Sequence, residues 1–188
     1  MTEFVYQLNL PPITDMLLDG INENMLAPLA RKADKSSSFL YEAIPATNII
    51  KPEYLNINGF EFTQALLFYK SKGKIGRIHR DTTDLSVSAW GINWIHGGSG
   101  ILEYWDEEDL VNEEVITRID EQGYPIIHYT SLVPARKKYV QTSPNVYLVN
   151  TTEIHRPTAW GGRWAISLRT NYSIPWDDIV ERFKNLII

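Results

Sequence analysis

The sequence predicts a mainly β fold, a sandwich or jelly roll with helices packed on one side. Two features of its texture carry the prediction. From Phe60 onward the chain breaks into short runs rich in Val, Ile, Tyr, Trp and Thr, separated by Gly, Asn and Asp, the pattern of strands and turns. Before Phe60, and again after Tyr172, apolar residues recur at helical spacing instead. The 188 residues are 44% hydrophobic and 12% aromatic, enough to fill one core. A single domain is therefore expected, with 1–59 as helical N-terminal support, 60–172 as a jelly-roll core and 173–188 as a C-terminal helix.

In order along the chain, Ile13, Met16, Leu17, Ile21, Met25, Leu26 and Leu29 step by three and four, which predicts one or two amphipathic helices broken near Gly20 or Pro28. Residues 34–38 read as a polar loop, and Pro45 and Pro52 make the following segment irregular. Strands are expected near 63–70, 75–79, 85–94, 100–105, 114–118, 124–132, 138–142, 145–149 and 163–170. Residues 72–74 and 97–100 read as hairpin connections, and Gly161-Gly162 as a tight turn where positive φ is cheap. The tail 174–188, with Pro175 near its start and Ile179, Val180, Phe183, Leu186 and Ile187 apolar, predicts a closing helix.

Composition excludes several function classes. A net charge of −5 argues against a general binder of nucleic acid or anionic membrane, since both require clustered basic charge. There are no cysteines, so disulfides, thiolate metal sites and a cysteine nucleophile are absent, and any metal takes nitrogen and oxygen ligands. No secretory leader and no apolar run of about 18 residues is visible, so a soluble cytoplasmic protein is expected. No Gly-x-Ser-x-Gly elbow of a serine hydrolase occurs.

The chemistry concentrates in Ile78-His79-Arg80-Asp81. On an extended strand His79 and Asp81 project from one side, about 7 Å apart at Cα. With an imidazole from another strand they make a two-histidine, one-carboxylate face of the kind that suits iron(II) and leaves coordination positions open. His155 is the candidate third ligand. Soon after it comes Arg163, a bidentate clamp for a carboxylate. On that last strand Arg163, Ala165, Ser167 and Arg169 share a face, which is equally the reading of an ordinary half-exposed strand with its polar side in water.

His79-x-Asp81, then His155 seventy-four positions after Asp81, then Arg163 eight further on with Trp164-Ala165-Ile166-Ser167 behind it, resembles the iron(II)- and 2-oxoglutarate-dependent oxygenases. It looks most like their prolyl-hydroxylase-type and small phage or bacterial members. The resemblance covers about 60–172. It implies a double-stranded β-helix, a cupin-like jelly roll, in which His79, Asp81 and His155 hold Fe(II). The cosubstrate 2-oxoglutarate would chelate that metal and place its distal carboxylate on Arg163. It also implies a dioxygenase that hydroxylates a C–H bond, with succinate and CO2 as co-products. Arg169 is the alternative anchor. Ser167 faces the same way, although Ala165 stands where the family often has a serine. Tyr69 and Asn93 are further candidates to hydrogen-bond the cosubstrate.

The remaining features have plainer readings. His96 reads as an exposed loop residue, and His128 as structural or cleft-facing. The tryptophans Trp90, Trp94, Trp105, Trp160 and Trp164 read mostly as core. The acidic run from Asp106 to Glu114 reads as a solvated face or a lid, and Arg136-Lys137-Lys138 as a patch able to meet an acidic substrate. The expected partners are dioxygen, 2-oxoglutarate and an amino-acid side chain or small molecule. Leu186-Ile187-Ile188 could serve a homodimer contact. Two rival classes stay open: a cupin-like metal enzyme that does not use 2-oxoglutarate, and a jelly-roll binding protein without catalysis.

Overall fold

The computed structural model describes residues 3–35, 41–73, 75–82, 88–119, 125–170 and 174–188. Its strands are β1 (Val5–Leu8), β2 (Tyr41–Pro45), β3 (Asn56–Ile57), β4 (Phe60–Glu61), β5 (Gln64–Lys70), β6 (Ile78–Arg80), β7 (Trp90–Gly97), β8 (Gly100–Tyr104), β9 (Leu110–Ile119), β10 (Pro125–Ser131), β11 (Lys137–Gln141), β12 (Val146–Asn150), β13 (His155–Ala159) and β14 (Arg163–Arg169). The helices are α1 (Ile13–Met16), α2 (Glu23–Lys35) and α3 (Trp176–Phe183).

The strands form two six-stranded antiparallel sheets, ordered β1-β12-β7-β14-β5-β2 and β11-β8-β13-β6-β10-β9. Strands β5, β6, β7 and β8 alternate between the two sheets, and so do β11, β12, β13 and β14. Each chain segment thus spirals around a common lumen, which is the double-stranded β-helix form of the jelly roll. The β9–β10 hairpin is inserted between the two halves and widens the second sheet beside β6.

Register decides what lies inside. Along β14, Trp164, Ile166 and Leu168 face outward into the main core, together with Ile92 and Trp94 of β7. That core is closed by Ile13 and Met16 of α1, Leu26 and Ala30 of α2, and Ile179 and Phe183 of α3. The opposite face of the same strands lines the lumen with Ile95, Ala165, Tyr147 and Val149, against Leu102 and Tyr104 of the second sheet. Both faces of β14 are therefore covered, and its polar side is not in water.

Several elements differ from the sequence expectation. The stretch before Phe60 also contributes β1 and β2, which edge the first sheet on either side, and the β3–β4 pair, so it is not purely helical support. Its helices do separate at Gly20, where φ is 85°. Pro28 lies inside α2 without ending it: the helix starts at the Asn22 cap, Oδ1 to the Asn24 amide, and Leu26 and Ala30 on either side of the proline are anchored in the core. Residues 36–40 of the expected polar loop lie outside the described residues.

The expected hairpins at 72–74 and 97–100 are instead crossings between sheets, β5 to β6 and β7 to β8, with Gly73 and Gly97 at positive φ; Lys74 is outside the described residues. Gly161-Gly162 does not need positive φ. The position that must be small is Gly98, which crosses it closely: a Cβ on Gly98 would lie 2.9 Å from the Gly161 carbonyl carbon, and the Gly98 amide bonds the Gly162 carbonyl at 3.1 Å. The strand expected at 85–94 begins at Trp90, with 83–87 outside the described residues, and that at 114–118 extends over Leu110–Ile119.

The closing helix is only α3; beyond it the chain anneals to β1, with the Asn9 amide on the Leu186 carbonyl at 2.7 Å and the Ile188 amide on Gln7 at 3.1 Å. Among the described residues no helix is long and apolar enough to cross a membrane.

Candidate metal centre and lumen

Strand pairing brings the three candidate ligands together. His79 on β6 lies directly opposite His155 on β13, and His155 directly opposite Tyr104 on β8, so their side chains share the lumen face. The two imidazole centroids are 4.3 Å apart. Asp81, two residues past His79, turns back so that its Oδ1 lies 3.4 Å from His79 Nε2. One ligand atom from each of His79, Asp81 and His155 lies within 4.8 Å of the others, a spacing that a single ion can bridge.

Both histidines are oriented by their own backbone. His79 Nδ1 donates to the Arg77 carbonyl at 2.8 Å, and His155 Nδ1 donates to the Glu153 carbonyl at 2.8 Å. A carbonyl only accepts, so each Nδ1 carries a hydrogen and each Nε2 is the atom presented to the centre of the cluster. This arrangement of metal-ligating histidines, with the far nitrogen tied down, fixes ring direction in advance. Burial, followed by the neighbouring His79, lowers His155 to about 4, so it is a neutral nitrogen donor at physiological pH. Burial alone would raise the Asp81 carboxyl. Contact with the two imidazoles, His79 first, and the charge of Arg169 outweigh it and hold the group well below the usual carboxylate range.

The two oxygens of Asp81 are divided. Oδ1 faces His79, while Oδ2 lies 3.7 Å from Arg169 Nη2, and Arg169 Nη1 donates to Thr151 Oγ1 at 3.0 Å. Arg169 thus braces the carboxylate from behind. Arg163, six residues earlier on β14, sits at the far end of the lumen. It is 7% exposed and no carboxylate among the described residues pairs with it. Its Nη2 donates to Gln141 Oε1 at 3.3 Å, and its Nη1 is buried without a hydrogen-bond partner. Burial pulls the guanidinium down to about 10. Two glycines make room for these arginines: a Cβ on Gly91 would come within 2.8 Å of Arg169 Nε, and one on Gly100 within 3.0 Å of Arg163 Nη1 and 2.2 Å of the Thr158 carbonyl.

Between the arginines, Ser167 pairs with Asn93 across β14 and β7. Ser167 Oγ and Asn93 Oδ1 are both buried without hydrogen-bond partners. The lumen is thus a polar bore through an apolar lining, with more buried hydrogen-bonding capacity than the protein satisfies by itself.

Tyr69 does not join this group. It is paired with Trp164, so it belongs to the outer face, where the Arg31 guanidinium lies 5.3 Å from its ring. Strand parity relative to Arg163 decides this. His96 is not a loop residue but part of β7, half-buried, with Nε2 2.6 Å from Glu23 Oε2 of α2 and its ring against Trp164. His128 pairs directly with His79, so it is on the lumen side, with its ring 6.3 Å from that of His79 and Nδ1 3.3 Å from Arg77 Nη1.

Of the tryptophans, Trp90, Trp94, Trp105 and Trp164 are buried and Trp160 is half exposed. The basic patch at 136–138 is engaged within the protein. Arg136 pairs with Asp106, Glu108 and Asp109, Lys137 approaches Glu3, and Lys138 approaches Glu103. Gln141, which sequence reasoning misses, carries no metal or charge signal; its one trace in the sequence is the alternation Lys137, Tyr139, Gln141 that sets it on the lumen face of β11.

No protein-family model and no curated protein matches the chain. Among solved structures it is similar to oxalate oxidase in complex with the substrate analogue glycolate and to recombinant oxalate oxidase in complex with glycolate. Each is 9% identical with a TM-score of 0.36, covering 98% of this chain and 90% of the other. The chemistry of the site is read from its own geometry.

Proposed function

We propose that the protein is an Fe(II)- and 2-oxoglutarate-dependent dioxygenase that hydroxylates a C–H bond. The observation that carries this reading is Arg163: a buried guanidinium with no carboxylate partner among the described residues, opening into the same lumen as a cluster of two histidines and one aspartate. A buried charge without a counterion costs several kcal/mol, so a site that retains one fits a ligand that brings the opposite charge. The donor set of two neutral imidazole nitrogens and one carboxylate oxygen fits iron(II) with positions left open. Bound there, iron(II) supplies dioxygen activation: substrate, O2 and 2-oxoglutarate go to hydroxylated substrate, succinate and CO2.

The protein's own share is positional. Glu153 and Arg77 carbonyls hold the two rings, and Arg169 holds Asp81. Arg163 lies level with Gly100 and Ala159, four residues along β13 from His155, or ~13 Å at ~3.3 Å per residue. A five-carbon dicarboxylate suits that interval, its keto-acid end at the histidines and its distal carboxylate at Arg163. The lining of Tyr104, Leu102, Ile95 and Val149 excludes bulk water from the bore.

The reading is tested by anaerobic titration of 2-oxoglutarate into the Fe(II)-loaded protein, following the visible metal-to-ligand charge-transfer band. The expected band disappears with His155→Ala and needs far more cosubstrate with Arg163→Ala. Metal uptake without a band overturns the use of 2-oxoglutarate, and absence of metal uptake overturns the oxygenase.

A further inference from the structure

At the far end of the lumen Arg163 has a second polar side chain beside it. Gln141 is 2% exposed, at the end of β11, where it pairs with Gly100 of β8. Its amide is oriented by chemistry, because the atom facing Arg163 Nη2 at 3.3 Å must be an acceptor; Oε1 therefore faces the guanidinium and Nε2 is a donor. That Nε2, like Arg163 Nη1, is buried without a hydrogen-bond partner. Two side chains bonded to each other thus each retain an unsatisfied donor in the same dry pocket, and a buried amide donor left unmatched is costly. Gln141 also has no charge. A glutamate of nearly the same shape would neutralise Arg163 in place, whereas glutamine fixes the guanidinium and leaves its charge to an incoming anion.

We propose that Gln141 is the second half of a carboxylate cradle: it positions Arg163 through Oε1 and donates through Nε2 to the distal carboxylate of the bound keto diacid. This rests on the 2-oxoglutarate reading above and adds a specificity determinant to it. A keto acid of the same chain length without the distal carboxylate gains nothing from Gln141, and discrimination between the two ligands is the signature of the cradle.

The experiment compares wild type, Gln141→Leu, Gln141→Glu and Arg163→Ala, each loaded anaerobically with Fe(II) and titrated separately with 2-oxoglutarate and with 2-oxopentanoate. Metal uptake and melting temperature are recorded alongside. Gln141→Leu is expected to weaken 2-oxoglutarate roughly tenfold to a hundredfold, the size of one hydrogen bond to a charged group, and to leave 2-oxopentanoate unchanged. Gln141→Glu, nearly isosteric and so secure in folding, is expected to raise the melting temperature, retain metal, and weaken 2-oxoglutarate by more than Gln141→Leu does. The proposal is overturned if Gln141→Leu weakens both ligands equally, or if Gln141→Glu binds 2-oxoglutarate as wild type does. If Arg163→Ala weakens 2-oxoglutarate and neither Gln141 variant does, the cradle fails while the 2-oxoglutarate reading stands. If wild type binds neither ligand, it is that reading that fails.

Discussion

Replacing Arg163 by methionine should make the protein more stable and weaken any binding of 2-oxoglutarate. Burial lowers the guanidinium from its ordinary value to about 10, which corresponds to roughly 3 kcal/mol against the charged form in the fold. Because the folded value is the lower one, the unfolded chain holds the proton more tightly. The penalty is fully present below about 10, shrinks as pH rises from there to the ordinary arginine value and is gone above it, so at neutral pH the fold bears it. Methionine fills a similar length with an adaptable apolar chain. It also removes the hydrogen bond to Gln141 Oε1, which costs about 1 kcal/mol. The net expectation is a gain of roughly 1–2 kcal/mol, a melting temperature higher by about 2–8 °C for a chain of this size. The affinity for 2-oxoglutarate should fall at least ~30-fold, the usual consequence of truncating one side of a buried charge pair. Calorimetric melting of the metal-free protein, with an anaerobic 2-oxoglutarate titration of the Fe(II) form, reads both effects. A lower melting temperature would mean that the guanidinium is structurally compensated, and the inference that its charge awaits a ligand would collapse.

Three further outcomes follow from other parts of the structure. Arg169→Gln removes the brace on Asp81 Oδ2 and should weaken metal binding about tenfold to a hundredfold, measured by quenching of tryptophan fluorescence with Mn(II); unchanged affinity would show that Asp81 orients itself. Phe60→Ala, which empties a ring stacked on Phe183 and edge-on to Trp90 in the main core, should cost about 3–5 kcal/mol and lower the melting temperature by roughly 10 °C. Asp109 is held below the usual carboxylate value by the Arg136 hydrogen bond, so its contribution is present above about pH 4 and is lost as pH falls through its lowered folded value. Asp109→Asn should therefore flatten the acid limb of stability against pH, and an unaltered limb would assign that limb to other carboxylates.

The metal cluster is legible in the sequence because strand parity is a local rule. His79 and Asp81 are two apart, and although β6 ends at Arg80 the chain bends at Asp81 so that its carboxylate still faces His79. Tyr69 shows the limit of the same rule. It sits on a correctly expected strand, but whether it faces the lumen depends on pairing with Trp164 rather than with Arg163, and pairing register is not written in either strand alone. β13 is invisible for a different reason. Its His-Arg-Pro-Thr-Ala composition lacks the apolar alternation of a strand, because its inward positions are a ligand, a proline and an alanine that make room for the lumen. Gln141 is missed because a glutamine becomes informative only once it is known to be buried and bonded to an arginine.

The distribution of unsatisfied polar atoms ties these observations together. The histidines are on the second sheet, and both arginines are on β14 of the first. Across the lumen the two sets meet at Asp81 with Arg169 and at Gln141 with Arg163. The first contact is between opposite charges. The second joins a charge to a neutral amide and leaves a donor on each side. A bore that served only to pack the two sheets would lower its free energy by satisfying both contacts or by replacing them with apolar side chains. A carboxylate at one end and buried donors without a counterion among the described residues at the other give the lumen a direction, and in the proposed reading a ligand with a chelating head and a carboxylate tail fits it one way round.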